Sequence, residues 1–259
     1  MQATIKTIYA VTAGPGSHGL ILSEATRAAE SKDPDALRIA TITRAVLPQI
    51  TSSAQPVPRT PLEPRATNLE PHATAITPAL IHPLFPFTTL ANIAANLPHV
   101  LAALAAAGLT DTPMLLAALA TIRAEAESFL PLTEAESRFN TSPGGSPFDL
   151  YDHRADLGNQ GPPDGANFRG RGYIQLTGRA NYTHYGARLA LDLLNNPPLA
   201  AEPEPAARIL AAFLREKQSA IRSALAQNDL TRARRLVNGG SNGLDRFTAA
   251  YTAGLKLLA

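Results

Sequence analysis

The sequence predicts a mainly α-helical protein, and three features of its residues support that prediction. Ala and Leu, which favour helices, dominate an apolar content of 45%, whereas aromatic residues make up 5% and Trp is absent. Helix-start signals recur in which a capping residue precedes Pro, as at Asp33-Pro34 and Thr112-Pro113. The apolar residues at positions 115, 116, 119 and 122 recur at the spacing of one helix face. A chain of 259 residues with this composition can fold as one large domain or two smaller ones.

The first 75 residues are predicted to stand apart from the rest. Residues 1–49 form a small segment of unknown role, with a strand at 4–11 and helices at 21–30 and from Asp33-Pro34 to Val46. Residues 50–75 are rich in Ser, Thr and Pro. Because Pro removes a backbone donor and fixes φ, this composition predicts a semi-extended linker. We therefore place a domain boundary there and expect a single domain over residues 76–259.

The helices of this domain are predicted from their start and stop signals. Thr77-Pro78 begins a short helix, an apolar helix over 96–107 ends at Gly108, and another runs from Thr112-Pro113 to about Ser128. Residues 131–167 resemble a long loop, which in a compact domain is usually functional or disordered. The remaining elements expected are helices at 182–193, 204–217, 218–226, 229–237 and 243–258, and short strands near Phe139 and at 173–176.

Charge and composition limit the partners that the chain is expected to bind. The net charge of +2 and pI of about 9.0 are a mild basic excess, which favours an anionic polymer but falls short of a nucleic-acid patch. The chain has no Cys, so it has no disulfides. No secretory signal or membrane span is predicted, so we expect a cytoplasmic protein until release or export by another route.

Several familiar classes of site do not fit the sequence. Gly170 and Gly172 are followed only by Gly178, which matches neither a phosphate-binding loop nor a dinucleotide fingerprint. No Ser lies in a Gly-x-Ser-x-Gly elbow, and no two His have the spacing of a helical zinc motif. We therefore expect neither a metal nor a cofactor.

Residues 168–182 combine close-approach glycines with a dense set of hydrogen-bonding side chains, which suits a groove wall that binds a polar polymer. Here the sequence resembles the family 19 glycoside hydrolases, which are chitinases and related phage-type endolysins. The matching segments are 151–159, 164–165, 168–182 and 237–240, and the resemblance runs from about Ile76 to the C-terminus. It implies a lysozyme-like, two-lobed, α-rich fold with a substrate cleft. It also implies an endo-acting, inverting hydrolase of β-1,4 links in an N-acetylglucosamine-containing polymer.

Glu125 is the candidate catalytic acid. It continues the apolar stripe of its helix, and partial burial helps a carboxylic acid keep its proton. The resembled family places its acid in a His-Glu-Ser/Thr-Gly-Gly setting, whereas here Ala124 precedes the Glu and Glu127 and Ser128 replace the glycines. The alternatives are a surface glutamate at position 125, or Glu127 as the acid.

Asp152 is the candidate second carboxylate. It lies where the family has Glu in Tyr-Glu-x-Arg, so its shorter side chain would hold the attacking water closer to the backbone. Asp156 is the competing candidate, although the family places that residue in a structural turn. Either aspartate can instead serve only to cap a loop.

The resemblance also implies roles for polar residues around the carboxylates. Thr177 matches the hydroxyl that holds the attacking water, and Arg246 matches an Arg near the two carboxylates. The residues that match sugar-binding positions are Gln175, Asn181, Tyr182 and Asn238. Inversion predicts that the carboxylates are separated by roughly 6.5–9.5 Å, which leaves room for a water molecule.

The substrate and role remain open at this point. Chitin and peptidoglycan both satisfy the residues, and a muramidase-like endolysin or a secreted effector delivered by residues 1–75 is an alternative. A further alternative is a polysaccharide-binding protein whose catalytic pair has decayed, since the surroundings of Glu125 depart from the family. In each case we expect a polysaccharide partner, no nucleic acid and a monomer.

Overall fold

The computed structural model describes residues 76–259. The strand and helices predicted within residues 1–49, and the linker predicted over 50–75, lie outside the described residues.

The described part of the chain is built mainly from α-helices, which confirms the predicted fold class. Two very short strands, β1 (Leu132–Thr133) and β2 (Arg171–Gly172), pair antiparallel with Leu132 opposite Gly172. Single 3₁₀ turns lie at His82–Leu84, Ala155–Leu157 and Pro197–Ala201. The helices are α1 (Pro78–Ile81), α2 (Leu90–Ala106), α3 (Thr112–Glu125), α4 (Asp149–Asp152), α5 (Asp164–Asn167), α6 (Arg179–Leu189), α7 (Pro203–Ala226), α8 (Leu230–Asn238) and α9 (Leu244–Leu257).

Helix α3 lies at the centre of the core. The Asp111 carboxylate caps it by accepting from the Met114 N–H at 3.3 Å, and every residue from Met114 to Glu125 is buried. Helix α9 packs closely along it, because Gly254 leaves room for the Leu116 side chain. The helix ends at Glu125 rather than near Ser128, since Ala126 has left the helical conformation, with φ −127° and ψ 71°.

Other predicted helix boundaries were also wrong, because tertiary packing outweighs local signals. Helix α2 begins at Leu90, capped by the Thr89 hydroxyl, and continues through Pro98. Its buried apolar face, which includes Leu97 and Val100, offsets the backbone donor that Pro98 lacks. The helices predicted at 204–217 and 218–226 are one continuous helix, α7.

The strand predicted near Phe139 is absent from the described residues, and the one predicted at 173–176 is displaced. Arg171 and Leu176 exchange backbone hydrogen bonds of 3.1 and 2.8 Å across a tight turn. Gly172 and Gln175 have positive φ within that turn, which an extended strand does not allow. The long stretch 131–167 also contains the short helices α4 and α5.

The contact between α3 and α9 predicts that a side chain at Gly254 is destabilising. A Cβ atom there would lie 2.3 Å from Leu116 Cδ2, so Gly254→Val should lower the free energy of unfolding by about 2 kcal/mol. Helix propensity alone would favour Val over Gly. Urea unfolding measures the change, and Ala253→Val, at the exposed neighbouring position, is the matched control. Equal stability of Gly254→Val and the wild type would contradict the close packing.

Candidate functional site

Glu125 is a buried carboxylate at the last position of α3, with 3% of its surface exposed. Its Oε1 atom accepts hydrogen bonds from Arg234 Nη2 and, at 3.2 Å, from Asn238 Nδ2. No hydrogen bond to Oε2 occurs within residues 76–259. One oxygen is therefore held by α8, and the other remains available for chemistry.

The loop that follows α8 fixes the two residues that hold Glu125. Its Asn242 carbonyl accepts from Arg234 Nε at 2.9 Å, from Arg234 Nη2 at 2.7 Å and from Asn238 Nδ2 at 3.1 Å. Gly239 and Gly243 bracket this loop with φ of 69° and 67°, a conformation that favours Gly. The turn of the backbone thus sets the geometry around the carboxylate.

Glu134 is a second buried carboxylate, and sequence reasoning did not select it. It follows β1 directly, and 8% of its surface is exposed. Its Oε1 accepts from the Tyr151 hydroxyl at 2.9 Å and from Asn140 Nδ2 at 3.0 Å, and its Oε2 accepts from the Gly170 N–H at 2.9 Å. These donors come from three separate segments, so Glu134 is held as firmly as Glu125.

Gly170 brings Glu134 together with two residues of the predicted site. A Cβ atom on Gly170 would lie 3.1 Å from Glu134 Oε2. It would also lie 2.8 Å from Gln175 Oε1 and 3.3 Å from Thr177 Oγ1. A side chain at this position would crowd three converging polar groups. Thr177, the predicted water-holding residue, therefore lies close to Glu134.

The predicted sugar-binding residues of this segment also have partners within the protein. Gln175 Nε2 donates to the carbonyls of Leu132 at 3.2 Å and Gly172 at 3.1 Å. The Thr177 hydroxyl donates to the Gln175 carbonyl, and Asn181 Nδ2 donates to the Thr177 carbonyl, both at 2.8 Å. These bonds hold the segment in shape, while the roles of its residues towards a substrate stay predictions.

Tyr182 is fully buried behind the same segment. Its hydroxyl donates to the Arg169 carbonyl and accepts from Arg171 Nη1, both at 2.8 Å. Burial raises the pKa of Tyr182 to about 12, and burial followed by the nearby Glu134 raises that of Tyr151 well above its ordinary value. Tyr182 thus supports the wall of the site, and its predicted contact with a sugar stays a prediction.

The two aspartates predicted as the second carboxylate have other partners. Asp152 is buried, and its Oδ1 accepts from the Gly165 N–H at 2.8 Å, which ties α4 to α5. Asp156 pairs with Arg154, whose Nε lies 2.6 Å from its Oδ1, and this guanidinium lowers the pKa of Asp156. Neither aspartate is among the groups that meet at Gly170.

A basic cluster adjoins the end of α3. Arg123 Nη1 lies 2.6 Å from Glu127 Oε1, and Arg246 Nη1 lies 3.6 Å from Glu127 Oε2, beyond hydrogen-bond distance. The Phe87 ring centroid is 5.7 Å from the Arg123 guanidinium carbon, and 79% of Phe87 is exposed. The structure therefore places Arg246 against Glu127, the alternative acid.

The described residues contain neither a metal-binding cluster nor a membrane-spanning helix. Between residues 76 and 259, no three His, Asp or Glu side chains are grouped so that they could hold a metal ion. In the same stretch, no helix combines the length and apolar character needed to cross a membrane.

Comparison with known proteins supports the resemblance found in the sequence. No protein-family model matches the chain. A "glycosyl hydrolase family 19 domain-containing protein" of Haemophilus influenzae is 32% identical over 106 residues, which is 40% of this chain. The match spans 49% of that relative, so the chain accounts for about half the relative's length.

Solved structures that are similar to this chain include chitinases. Chitinase C from Streptomyces griseus HUT6037 has a TM-score of 0.51 and 22% identity, over 72% of this chain and 78% of that one. A mutant of chitinase C has a TM-score of 0.50 and 22% identity, over 70% of this chain and 76% of that one. At this level of identity the likeness shows a shared fold, which is helix-rich and lysozyme-like, as predicted.

The buried tyrosines predict a loss of stability at alkaline pH. The pKa of Tyr182 is about 12 in the folded chain and about 10 in the unfolded chain, so the unfolded chain loses its proton first. The contribution of Tyr182 to stability is complete below roughly pH 10 and is lost as the pH rises through about 12. Between pH 9 and 11, the free energy of unfolding measured in urea should fall by about 1 kcal/mol less for Tyr182→Phe than for the wild type. An identical fall in both proteins would contradict this assignment.

Proposed function

We propose that this chain is an endo-acting, inverting glycoside hydrolase that cuts β-1,4 links in an N-acetylglucosamine-containing polymer. The observation that carries the proposal is a pair of buried, firmly held carboxylates, Glu125 and Glu134, the second of which lies beside Thr177. Glycosidic hydrolysis by inversion requires two carboxyl groups with different tasks. The resemblance in sequence and the shared fold supply the substrate class.

The two carboxyl groups divide the chemistry between them. Glu125 protonates the glycosidic oxygen from Oε2, the oxygen that α8 does not hold, as the bond from that oxygen to C1 breaks. A water held by Thr177 attacks C1 from the opposite face, and Glu134 accepts the proton that this water loses. The anomeric configuration is inverted, and both carboxyl groups return to their starting states after proton exchange with solvent.

We assign the base to Glu134 instead of Asp152 or Asp156. A base must lie near the residue that positions the water, and Glu134 meets Thr177 at Gly170. Asp152 lies at the Gly165 N–H and Asp156 beside Arg154, and neither is among the groups that meet at Gly170. Both aspartates therefore fit the structural role that was the alternative for them.

The remaining residues of the predicted site are proposed to contact the sugar chain. Asn238 and Gln175 present amide groups beside the two carboxylates, and amides suit N-acetyl and hydroxyl groups. Asn181 and Arg246 are proposed to contact the polymer further from the broken bond. A polysaccharide partner and a monomeric state complete the proposal.

Peptidoglycan is the second candidate substrate, and the basic cluster favours it. Arg123 and Arg246 together outnumber the single Glu127 between them, which leaves an excess positive charge near Glu125. A cell wall that carries carboxylates would be attracted there, whereas chitin is neutral. Delivery of such an enzyme as an effector by residues 1–75 remains a proposal on the sequence alone.

Replacing each carboxylate in turn tests the assignment. Glu125→Gln and Glu134→Gln should each lower kcat on chitin hexasaccharide by at least about 100-fold, because each removes a proton-transfer group. Asp152→Asn keeps an oxygen that can accept from the Gly165 N–H and should keep most of the activity. Chromatographic quantification of the products gives kcat for each of the three variants.

The same assay separates the alternatives. A severe loss in Asp152→Asn with full activity in Glu134→Gln would return the base to Asp152. Cleavage of purified peptidoglycan but not chitin would identify a wall-lytic enzyme. The hydrolase would be contradicted if the wild type and Glu125→Gln both bind a polymer and neither cuts chitin or peptidoglycan. That result would identify a polysaccharide-binding protein.

A further inference from the structure

We infer that Arg234, on α8, is a positioning residue for the catalytic acid, Glu125. Arg234 holds the Glu125 side chain in place and stabilises the charge that forms on it. This inference rests on the proposed function, because it assigns a task to Arg234 within that reaction. Neither the composition of α8 nor the resemblance to family 19 hydrolases singled out this residue.

The first argument is geometric. Arg234 and Asn238 are one helical turn apart, so both project from the same face of α8. Both donate to Glu125 Oε1 and both donate to the Asn242 carbonyl. The guanidinium thus connects a fixed backbone oxygen to one carboxylate oxygen. The Glu125 side chain cannot rotate without breaking these bonds, and Oε2 is held in one direction.

The second argument is electrostatic. When Glu125 gives up its proton, a negative charge develops on a side chain that is 3% exposed, next to a guanidinium that is 1% exposed. A cation already in place at the site of the new charge stabilises the transition state without reorganisation. The effect is confined to the chemical step, because the Arg234 side chain is 1% exposed and is therefore too deeply buried to contact a substrate. Substrate binding should therefore be insensitive to it.

The third argument is that stability alone does not account for the contact between Arg234 and Glu125. Arg234 Nη1 is buried and has no hydrogen-bond partner among residues 76–259. A buried contact between Arg and a carboxyl group contributes little to stability. A buried donor that has no partner, such as Nη1, lowers that contribution further. At the opposite end of α3, Arg222 donates to both oxygens of Asp111, at 2.7 and 2.8 Å, with no such defect. That second pair is 38% and 39% exposed, against 1% and 3% for Arg234 and Glu125, and it provides a control for loss of an Arg contact on the same helix.

The experiment compares Arg234→Gln, Arg234→Lys and Arg222→Gln in the full chain. For each protein, kcat and KM are measured on chitin hexasaccharide, with purified peptidoglycan as the second substrate. The dissociation constant for tri-N-acetylchitotriose is measured by calorimetry, and the melting temperature is recorded. Arg222→Gln should lower the melting temperature and leave kcat unchanged.

The expected result separates kcat from binding. Arg234→Gln should lower kcat by about 100-fold, since small displacements of a catalytic group cost that much, while the dissociation constant stays within about threefold of the wild type. Arg234→Lys keeps the positive charge but lacks the planar guanidinium group, so its kcat should be only about tenfold lower than that of the wild type. The order of kcat should be wild type, then Lys, then Gln.

Two outcomes would overturn the inference. One is a wild-type kcat in Arg234→Gln, or in Arg234→Lys if the Gln variant does not fold. The other is a loss of kcat in Arg222→Gln equal to that in Arg234→Gln, because it would show that any lost Arg contact on α3 has the same effect. An inactive wild type on both substrates would instead contradict the proposed hydrolase, so the two failures are distinguishable.

Discussion

The burial of α3 from Met114 to Glu125 is the constraint on which the candidate site depends. A helix that is buried from Met114 to its last residue carries Glu125 into the core at its end. A buried carboxylate requires partners, and α8 supplies them from one face, with Arg234 and Asn238. The packing of α9 against α3 at Gly254 holds the same helix from another side. The site is therefore anchored by the core, together with the loop that follows α8.

The second carboxylate, Glu134, is positioned by strand pairing instead of by a buried helix. The short pairing of β1 with β2 brings Glu134 to the segment that begins at Gly170, which it contacts across 36 positions of sequence. The tight turn between Arg171 and Leu176 then returns the chain, so that Thr177 comes back beside Gly170. A helix end and a strand end thus supply the two carboxylates, each with its own set of donors. Independent anchoring suits a pair of groups that must act from opposite sides of one bond.

Local signals predicted most of the helices but not the whole site. Caps followed by Pro located the start of α3, and Gly108 marked the end of α2. Glu125 could be selected because it continues an apolar stripe, which is a property of its own helix. Glu134 could not, because its burial comes from Tyr151, Asn140 and Gly170, and nothing in its neighbouring residues indicates those contacts. Asp152 was selected instead because a short motif marks it.

The measurement that tests the account most directly is the anomeric form of the first products from chitin hexasaccharide, followed by proton NMR before mutarotation. A water held between Thr177 and Glu134 attacks C1 from the face opposite the leaving oxygen, so the newly formed reducing ends should be α-anomers. Initial β-anomers would mean retention, and would contradict a mechanism in which Glu125 and Glu134 act on either side of the bond.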